Sequence, residues 1–351
     1  MSKIRGLINY EPSLLVGVGF LILLSIITLR ATASFLFPAY FFYLALAILA
    51  FFFFSKIDFE IISLFSKHLY LVSIVFLILP LLIGQVTRGT IRWIPLGPTT
   101  IQPAEVVRPF LLVFFANYLT DKKLSLERLL KALLLLSLPL FLILIQPSLG
   151  VTLLTLTGFL GILLASKFEK KYILVGLAIF LLAGPITWKI LAPYQRLRMI
   201  SFIDPSADPL GGGYNSIQSM ISVGSGRLFG RGLGKGVQAQ LAFLPERHTD
   251  FIFAAISEEM GFVGAALLLL ALFLVFWWLV KVIENARSFS ARAFVSGLFL
   301  SLFIQTIIHI GMNMGVLPIT GIPLPLVSAG GSSLLATMIG LGIAQGAKRP
   351  V

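Results

Sequence analysis

From Ser13 to Leu29 the chain carries no charged residue, and a second uncharged apolar stretch follows from Phe35 to Phe54. A helix that crosses a bilayer needs about 20 predominantly apolar residues, so both stretches are candidate spans. Comparable runs recur to the end of the chain, near 13-29, 35-54, 69-84, 104-119, 132-146, 150-165, 172-190, 250-280, 293-315 and 327-346. The fold predicted is all-α: a polytopic membrane protein with about ten transmembrane helices, one domain over 1-351, with no internal repeat. Its connections are short except for one large extracytoplasmic loop at 192-249. Composition agrees, because 58% of residues are hydrophobic and only 12% charged. A soluble domain holds about 25% charged residues, so an ordinary soluble globule is excluded.

The net charge is +13, which in a soluble protein would raise nucleic-acid binding. Here the basic residues sit in short connections between apolar runs, where anionic headgroups and the positive-inside bias account for them. No nucleic-acid partner is expected. Lys3, Arg5, Lys56, Lys67, Lys122, Lys131, Lys170, Lys281, Arg287 and Lys348 all fall on one side of an even-span arrangement. That side is predicted to be the cytoplasm, with both termini there. The run after Lys3 and Arg5 lacks a small-residue cleavage site and reads as an uncleaved first span. There is no cysteine, so disulfides, thiolate nucleophiles and cysteine-ligated metals are excluded.

The 192-249 loop is the exception to the charge rule, carrying Arg196, Arg198, Arg227, Arg231, Lys235 and Arg247. Its stretch Asp204 to Gly236 is rich in glycine, which lets backbone amides approach a ligand, and the basic residues add positive charge. Together they could cradle phosphate. A nucleotide P-loop is not matched, because Gly236 follows Lys235 where Ser or Thr is required. Composition also allows a flexible loop with a solvated basic face.

Where this loop enters the eighth span the sequence reads LPERHTDFIF, from Leu244 to Phe253. Asp250 at the start of a helix is explained by capping alone. Glu246, Arg247 and His248 precede it, so ionisable groups converge at the membrane surface. A carboxylate there could take a proton from a sugar hydroxyl or hold a divalent cation. Glu258 and Glu259 lie roughly 12 Å deeper along a helix rising about 1.5 Å per residue. Acids at that depth are costly, and pairing with a basic group or polar backbone is expected of them.

Two further clusters stand out. Arg88 to Gly97 reads RGTIRWIPLG and is followed by IQPAEVVR, in which Glu105 and Arg108 share a helix face and could form an ion pair. Arg92 beside Trp93 is by default an interfacial anchor. Asn313 to Ser333 reads NMGVLPITGIPLPLVSAGGSS, with three prolines in an apolar region. Irregular backbone at membrane depth is tolerated only inside protein or along a cavity. His309 reads as a hydrogen-bonded bundle residue, since the histidines at 68, 248 and 309 are too widely spaced for a zinc site.

Taken in order, RWIPLG with IQPAE, QPSLG, GYNSIQSMISVGSGRLFGRGLG, LPERHTDFIF with the EE pair, and NMGVLPITGIPLPLVSAGGSS resemble the SEDS family of shape, elongation, division and sporulation proteins. The PERHTDF and TGIPLP segments look more like its elongation branch than its division branch. The resemblance covers nearly the whole chain. It implies a peptidoglycan glycosyltransferase of the bacterial cytoplasmic membrane that polymerises lipid II beside a class B penicillin-binding protein. By motif, Asp250 matches the family's essential aspartate and Glu105 the glutamate of its QPSE motif. Three positions depart from the pattern: Ser148 replaces an aspartate in QPDLG, QPSE reads QPAE, and Arg108 stands for a lysine. An arginine keeps the charge but not the compact ammonium.

On this reading Asp250 deprotonates the acceptor hydroxyl or orients it through a divalent cation, Mg or Mn. Arg92, Arg108, Arg196, Arg198, Arg227, Arg231 and Lys235 are candidates to stabilise the departing pyrophosphate. Glu105, Arg247 and His248 are further candidates for substrate binding. The rival is a flippase of the lipid-linked precursor, since transporters share broken helices and buried charges. A scaffold that only positions a transpeptidase is the third reading.

Overall fold

The computed structural model describes residues 10–83, 85–87, 90–97, 99–166, 196, 200–211, 213–241 and 243–348. The helices, in chain order, are α1 (Pro12–Thr32), α2 (Phe37–Ser55), α3 (Phe59–Leu64), α4 (Ser66–Ile83), α5 (Pro103–Val106), α6 (Arg108–Thr120), α7 (Leu126–Ile145), α8 (Leu149–Ala165), α9 (Tyr214–Ser225), α10 (Val237–Gln240), α11 (Ile252–Glu284), α12 (Phe289–Asn313) and α13 (Gly331–Gly346). Six of the described helices are long and apolar enough to cross a membrane: α1, α2 with the turn before it, α4, α7, α11 and α12. They fall on expected spans. The expected span 172-190 lies outside the described residues.

The three remaining spans are shorter, at 13, 17 and 16 residues for α6, α8 and α13. Their shortness goes with burial. α6 and α13 are enclosed along nearly their whole length, including Arg108, Leu111 to Ala116 and Ser332 to Ala344. The outer helices instead expose leucine and phenylalanine, for example Phe53, Val72, Leu134 and Phe141, as a lipid-facing surface does. α8 and α12 approach at Gly161 and Gly297: a side-chain carbon at Gly161 would stand 2.6 Å from Ser296 O and 2.8 Å from Gly297 Cα. Small residues let backbones meet in this way, where packing rather than the hydrophobic effect joins helices.

Three elements differ from expectation. The segment read as an outer loop with an interfacial arginine folds into a small antiparallel sheet, β1 (Gln85–Thr87), β2 (Thr90–Leu96) and β3 (Thr99–Ile101), in that order. Its register pairs Gln85 with Trp93 and Ile94 with Ile101. The alternation of β-branched and aromatic residues in TIRWI is a strand pattern that suits it. Second, the long loop contains α9, whose serines 216, 219 and 222 are buried. Third, α11 is broken at Gly261 (φ 66°, ψ −161°), which divides it into a short helix, Ile252 to Met260, and a longer one from Phe262.

That break strands backbone groups on both sides, which must find partners. The glycine-rich loop supplies them. Arg231 and Gly232 donate their N–H groups to Glu258 O (2.9 Å) and Glu259 O (3.0 Å), while Phe262 and Val263 donate to Arg227 O (2.8 Å) and Leu228 O (3.1 Å). Only glycine adopts the dihedrals at 261 without strain.

Candidate active site

The site is assembled around one face of α12. Gln305, His309 and Asn313 are spaced four residues apart and fully buried, so they form one polar stripe along an apolar helix. Gln305 Nε2 donates to Pro323 O (2.8 Å), His309 Nδ1 meets Ile322 O (2.8 Å), and Asn313 Nδ2 donates to Asp250 O (3.0 Å). The stripe thus holds the proline-rich segment 314–330 and the turn that carries Asp250. Asn313 Oδ1 also accepts from Ala254 N (3.1 Å), in the first turn of α11. From the opposite wall, Ser25 of α1 donates to Val327 O (2.6 Å) and is itself bonded by Tyr40 (2.9 Å). The segment has no regular helix, and Gly321 and Leu326 have positive φ. From Ile322 to Ser328 this irregular backbone is largely buried in protein, as membrane depth requires.

Asp250 is half-buried at the mouth of this assembly. The N-cap of α11 is Phe251, one residue further on, so Asp250 does not occupy the capping position. Its turn is fixed on every side: Phe251 N–H donates to Glu246 O, Ser328 Oγ to Thr249 O (2.7 Å), and Ala329 N to His248 O (2.9 Å). Gly321 abuts the carboxylate, since a side-chain carbon there would stand 3.3 Å from Asp250 Oδ2.

Behind Asp250 runs a charged track. Glu105 (7% exposed) lies within electrostatic reach of Arg108, Arg92 and Asp250. Arg108 (3% exposed) donates from Nη2 to Gln305 Oε1 at 3.2 Å. The ion pair expected between Glu105 and Arg108 is therefore replaced by an amide contact, with the two charges interacting through space. An arginine reaches that amide across the bundle, which gives the departure from lysine a physical use. Arg92 projects from β2 with its guanidinium 5.8 Å from the Trp93 ring centroid. Ser148 accepts from Gln102 Nε2 (3.2 Å), and Gln102 N donates to Ser332 Oγ (2.8 Å). The hydroxyl that replaces a carboxylate in this motif closes a neutral contact.

The glycine-rich loop and the turn after it also bind carboxylates of the chain itself: Gly234 N donates to Glu259 Oε1 (3.1 Å), Gln238 N to Glu258 Oε1 (2.9 Å) and Ala239 N to Glu258 Oε2 (3.1 Å). The expected structural pairing of both glutamates with polar backbone is what the loop supplies. Arg227, Arg231 and Lys235 are exposed on that loop, some eight residues, or about 12 Å, along the short helix from Asp250. Arg247 is turned away, with Nε and Nη2 on Thr32 O at the end of α1 (3.2 and 3.0 Å). His248 lies 3.7 Å from Glu246. Arg196 is described and half-buried, whereas Arg198 lies outside the described residues. Glu105 thus interacts electrostatically with Arg108, Arg92 and Asp250, whereas Arg231 and Gly232 are bonded through their backbone to the end of the short helix that follows Asp250. Reading by motif missed Gln305 and Asn313. Their signal was polar residues at fourfold spacing in an otherwise apolar helix.

Among the described residues no group of three or more His, Asp or Glu could hold a metal ion. Asp250 and Glu105 are two carboxylates within electrostatic reach of one another. That donor set suits Mg²⁺, which commonly takes one or two carboxylates and completes its shell with phosphate and water.

A polytopic helical bundle with a half-buried acid beside a buried polar stripe, and a buried arginine and glutamate nearby, defines a membrane protein with a polar site among its apolar helices. Residues 7–350 match the family model of the FtsW, RodA and SpoVE cell cycle proteins, and the chain belongs to that family. It is 40% identical over 284 residues, 79% of this chain and 76% of the other, to the peptidoglycan glycosyltransferase MrdB of Escherichia coli K12. It is 37% identical over 286 residues, 79% and 74% of the two chains, to the probable peptidoglycan glycosyltransferase FtsW of Buchnera aphidicola. Among solved structures it resembles a chain from a peptidoglycan synthase complex that coordinates polymerization and crosslinking, with TM-score 0.83, 32% identity and coverage of 96% and 97%. The rod shape determining protein RodA of Thermus thermophilus matches with TM-score 0.74 and 28% identity over 97% of both chains.

Proposed function

We propose that this protein is a peptidoglycan glycosyltransferase of the bacterial cytoplasmic membrane, which joins lipid II units into glycan strands during cell elongation. The observation that carries the mechanism is the setting of Asp250: half-buried, pinned through its backbone by Asn313, and within electrostatic reach of Glu105, which Arg92 also reaches. Asp250 takes the proton of the acceptor 4-hydroxyl as that oxygen attacks the anomeric carbon of the donor sugar. The C–O bond to the pyrophosphate breaks, the configuration inverts, and undecaprenyl pyrophosphate leaves. Arg92, within electrostatic reach of Glu105, is the candidate cation to meet the departing charge, with Arg108 as a buried background charge. Such fixed charges act most strongly where water is excluded. A divalent cation, Mg or Mn, would be held by Asp250 and Glu105 and would polarise phosphate oxygens.

Both termini are read as cytoplasmic, on the side of the lysine-rich connections. The partner is a class B penicillin-binding protein that crosslinks the product, a reading supported by the likeness to a peptidoglycan synthase complex. The test is purified protein given labelled lipid II, with products separated by length. Wild type gives polymer, and Asp250→Asn lowers the rate by about 10²–10⁴-fold, the usual worth of general base catalysis. Undiminished polymer from that variant would remove Asp250 from the chemistry. Translocation of lipid II in sealed vesicles without any polymer would establish the flippase instead.

A further inference from the structure

On the lysine-rich side, between the ends of α4, α6 and α7, lies a cavity of about 300 Å³ whose polar lining is Lys67, Asn117, Tyr118, Asp121, Lys122 and Arg128. It is at the end of the bundle opposite Asp250 and takes no part in the chemistry described above. Its wall is built. Arg128 donates from Nε (2.8 Å) and Nη2 to Tyr118 O, and its guanidinium carbon sits 4.9 Å from the Tyr118 ring centroid. That side chain is only 15% exposed, and among the described residues its acidic partner is Asp121, at 3.5 Å and 60% exposed. Asn117 is fixed in turn, donating to Ser66 Oγ at 3.0 Å and Ser63 O at 3.3 Å.

Among the described residues the charges in this cavity do not balance. Lys67, Lys122 and Arg128 face one carboxylate, and neither lysine has an ion pair or hydrogen bond among the described residues. Elsewhere on the same side acids are at hand: Lys131 meets Glu127, Arg287 meets Asp58, and Lys281 and Lys348 meet Glu11. Unpaired lysines at a membrane surface are ordinary in themselves. A concave site in which they join an oriented guanidinium is a binding site for an oxyanion. The surroundings select which one. Phe65, Leu126 and Leu130, at 57%, 54% and 57% exposure, flank the lining residues along the chain on the outer faces of the bundle. A ligand with a phosphate and acyl chains satisfies both surfaces, whereas a soluble anion satisfies one.

We propose that this cavity binds the phosphate headgroup of an anionic phospholipid from the leaflet on the lysine-rich side. Basic pockets between transmembrane helices suit such headgroups, each lysine or arginine contributing about fivefold in affinity. The test uses the full chain, purified in detergent and stripped of lipid, and titrated by native mass spectrometry with phosphatidylglycerol, phosphatidylcholine or inorganic phosphate. Phosphatidylglycerol is expected to fill one saturable site and phosphatidylcholine to bind at least about tenfold more weakly. The double variant Lys67→Gln with Lys122→Gln should lose roughly 25-fold in phosphatidylglycerol affinity. Asp121→Asn, which removes the opposing charge, should gain about fivefold and keeps the idea testable should the double variant misfold. Equal affinity for the two lipids, undiminished binding by the double variant, no gain in Asp121→Asn, or displacement of the lipid by equimolar inorganic phosphate would each overturn the proposal.

Discussion

Asn313 and Gly321 hold Asp250 in different ways, and substitution separates them. Asn313→Ala removes the bonds to Asp250 O, His309 O and Ala254 N. It leaves buried backbone groups unsatisfied at about 1–3 kcal/mol each. The variant is expected to lose both thermal stability and polymerisation rate, measured on the same preparation by thermal unfolding and by the lipid II assay. Gly321→Ala places a carbon 3.3 Å from Asp250 Oδ2 at a φ of +69°. The backbone penalty is roughly 1 kcal/mol, so the melting temperature should shift little while polymerisation falls by tenfold or more. Equal loss of stability in the two variants would mean that Gly321 serves the fold alone. At this scale Asp250, Glu105 and Arg108 were legible in the sequence, because charge in apolar surroundings is conspicuous. Their supports were less so: a glutamine, a histidine and an asparagine signify only once their fourfold spacing on one face is noticed.

The glycine-rich loop shows how an element suited to anions can meet carboxylates of its own chain. Its amides were expected to meet an anion, and those of Gln238 and Gly234 meet Glu258 and Glu259. The reason lies in Gly261, whose positive φ ends one helix and starts another. From sequence, a glycine within a long apolar run is tolerated and gives no warning of a break inside the span. The loop and the break are therefore one unit, and disturbing either should release both. At Gly230 (φ +80°) a side-chain carbon would stand 2.1 Å from Glu259 O, so Gly230→Ala must displace the loop. Hydrogen exchange should rise at the amides of Arg231, Gly232, Phe262 and Val263 together. Unchanged protection at Phe262 and Val263 would show that the loop is not what seals the break. The small sheet of β1 to β3 was likewise hidden, because three short strands among prolines and glycines look like any outer loop.

Across the whole molecule the polar chemistry is split between two ends, joined by helices whose outer faces are hydrocarbon. The lysine asymmetry that marks one end was plain in the sequence, but the pairs that fasten it were not, since they join residues hundreds of positions apart. Glu11, just before α1, accepts from Lys348 at 2.6 Å and lies 3.6 Å from Lys281. It thereby ties the first helix to the chain beyond α13 and to the end of α11. Burial pushes the Glu11 carboxyl upward, and the two lysines outweigh it, holding the group below its ordinary value of 4.5. A carboxyl depressed in the folded state adds stability that is complete above its unfolded value and is lost as pH falls through its folded one. The pair is partly solvated, with Glu11 23% exposed, so its worth is at most about 1 kcal/mol. Glu11→Gln is therefore expected to melt slightly below wild type at pH 7, by a few degrees at most. The gap should close as pH is lowered below about 4.5, because wild type then loses the charge the variant already lacks. A gap that persists at low pH would assign the loss to packing at the end of α1 and not to the charge that fastens it.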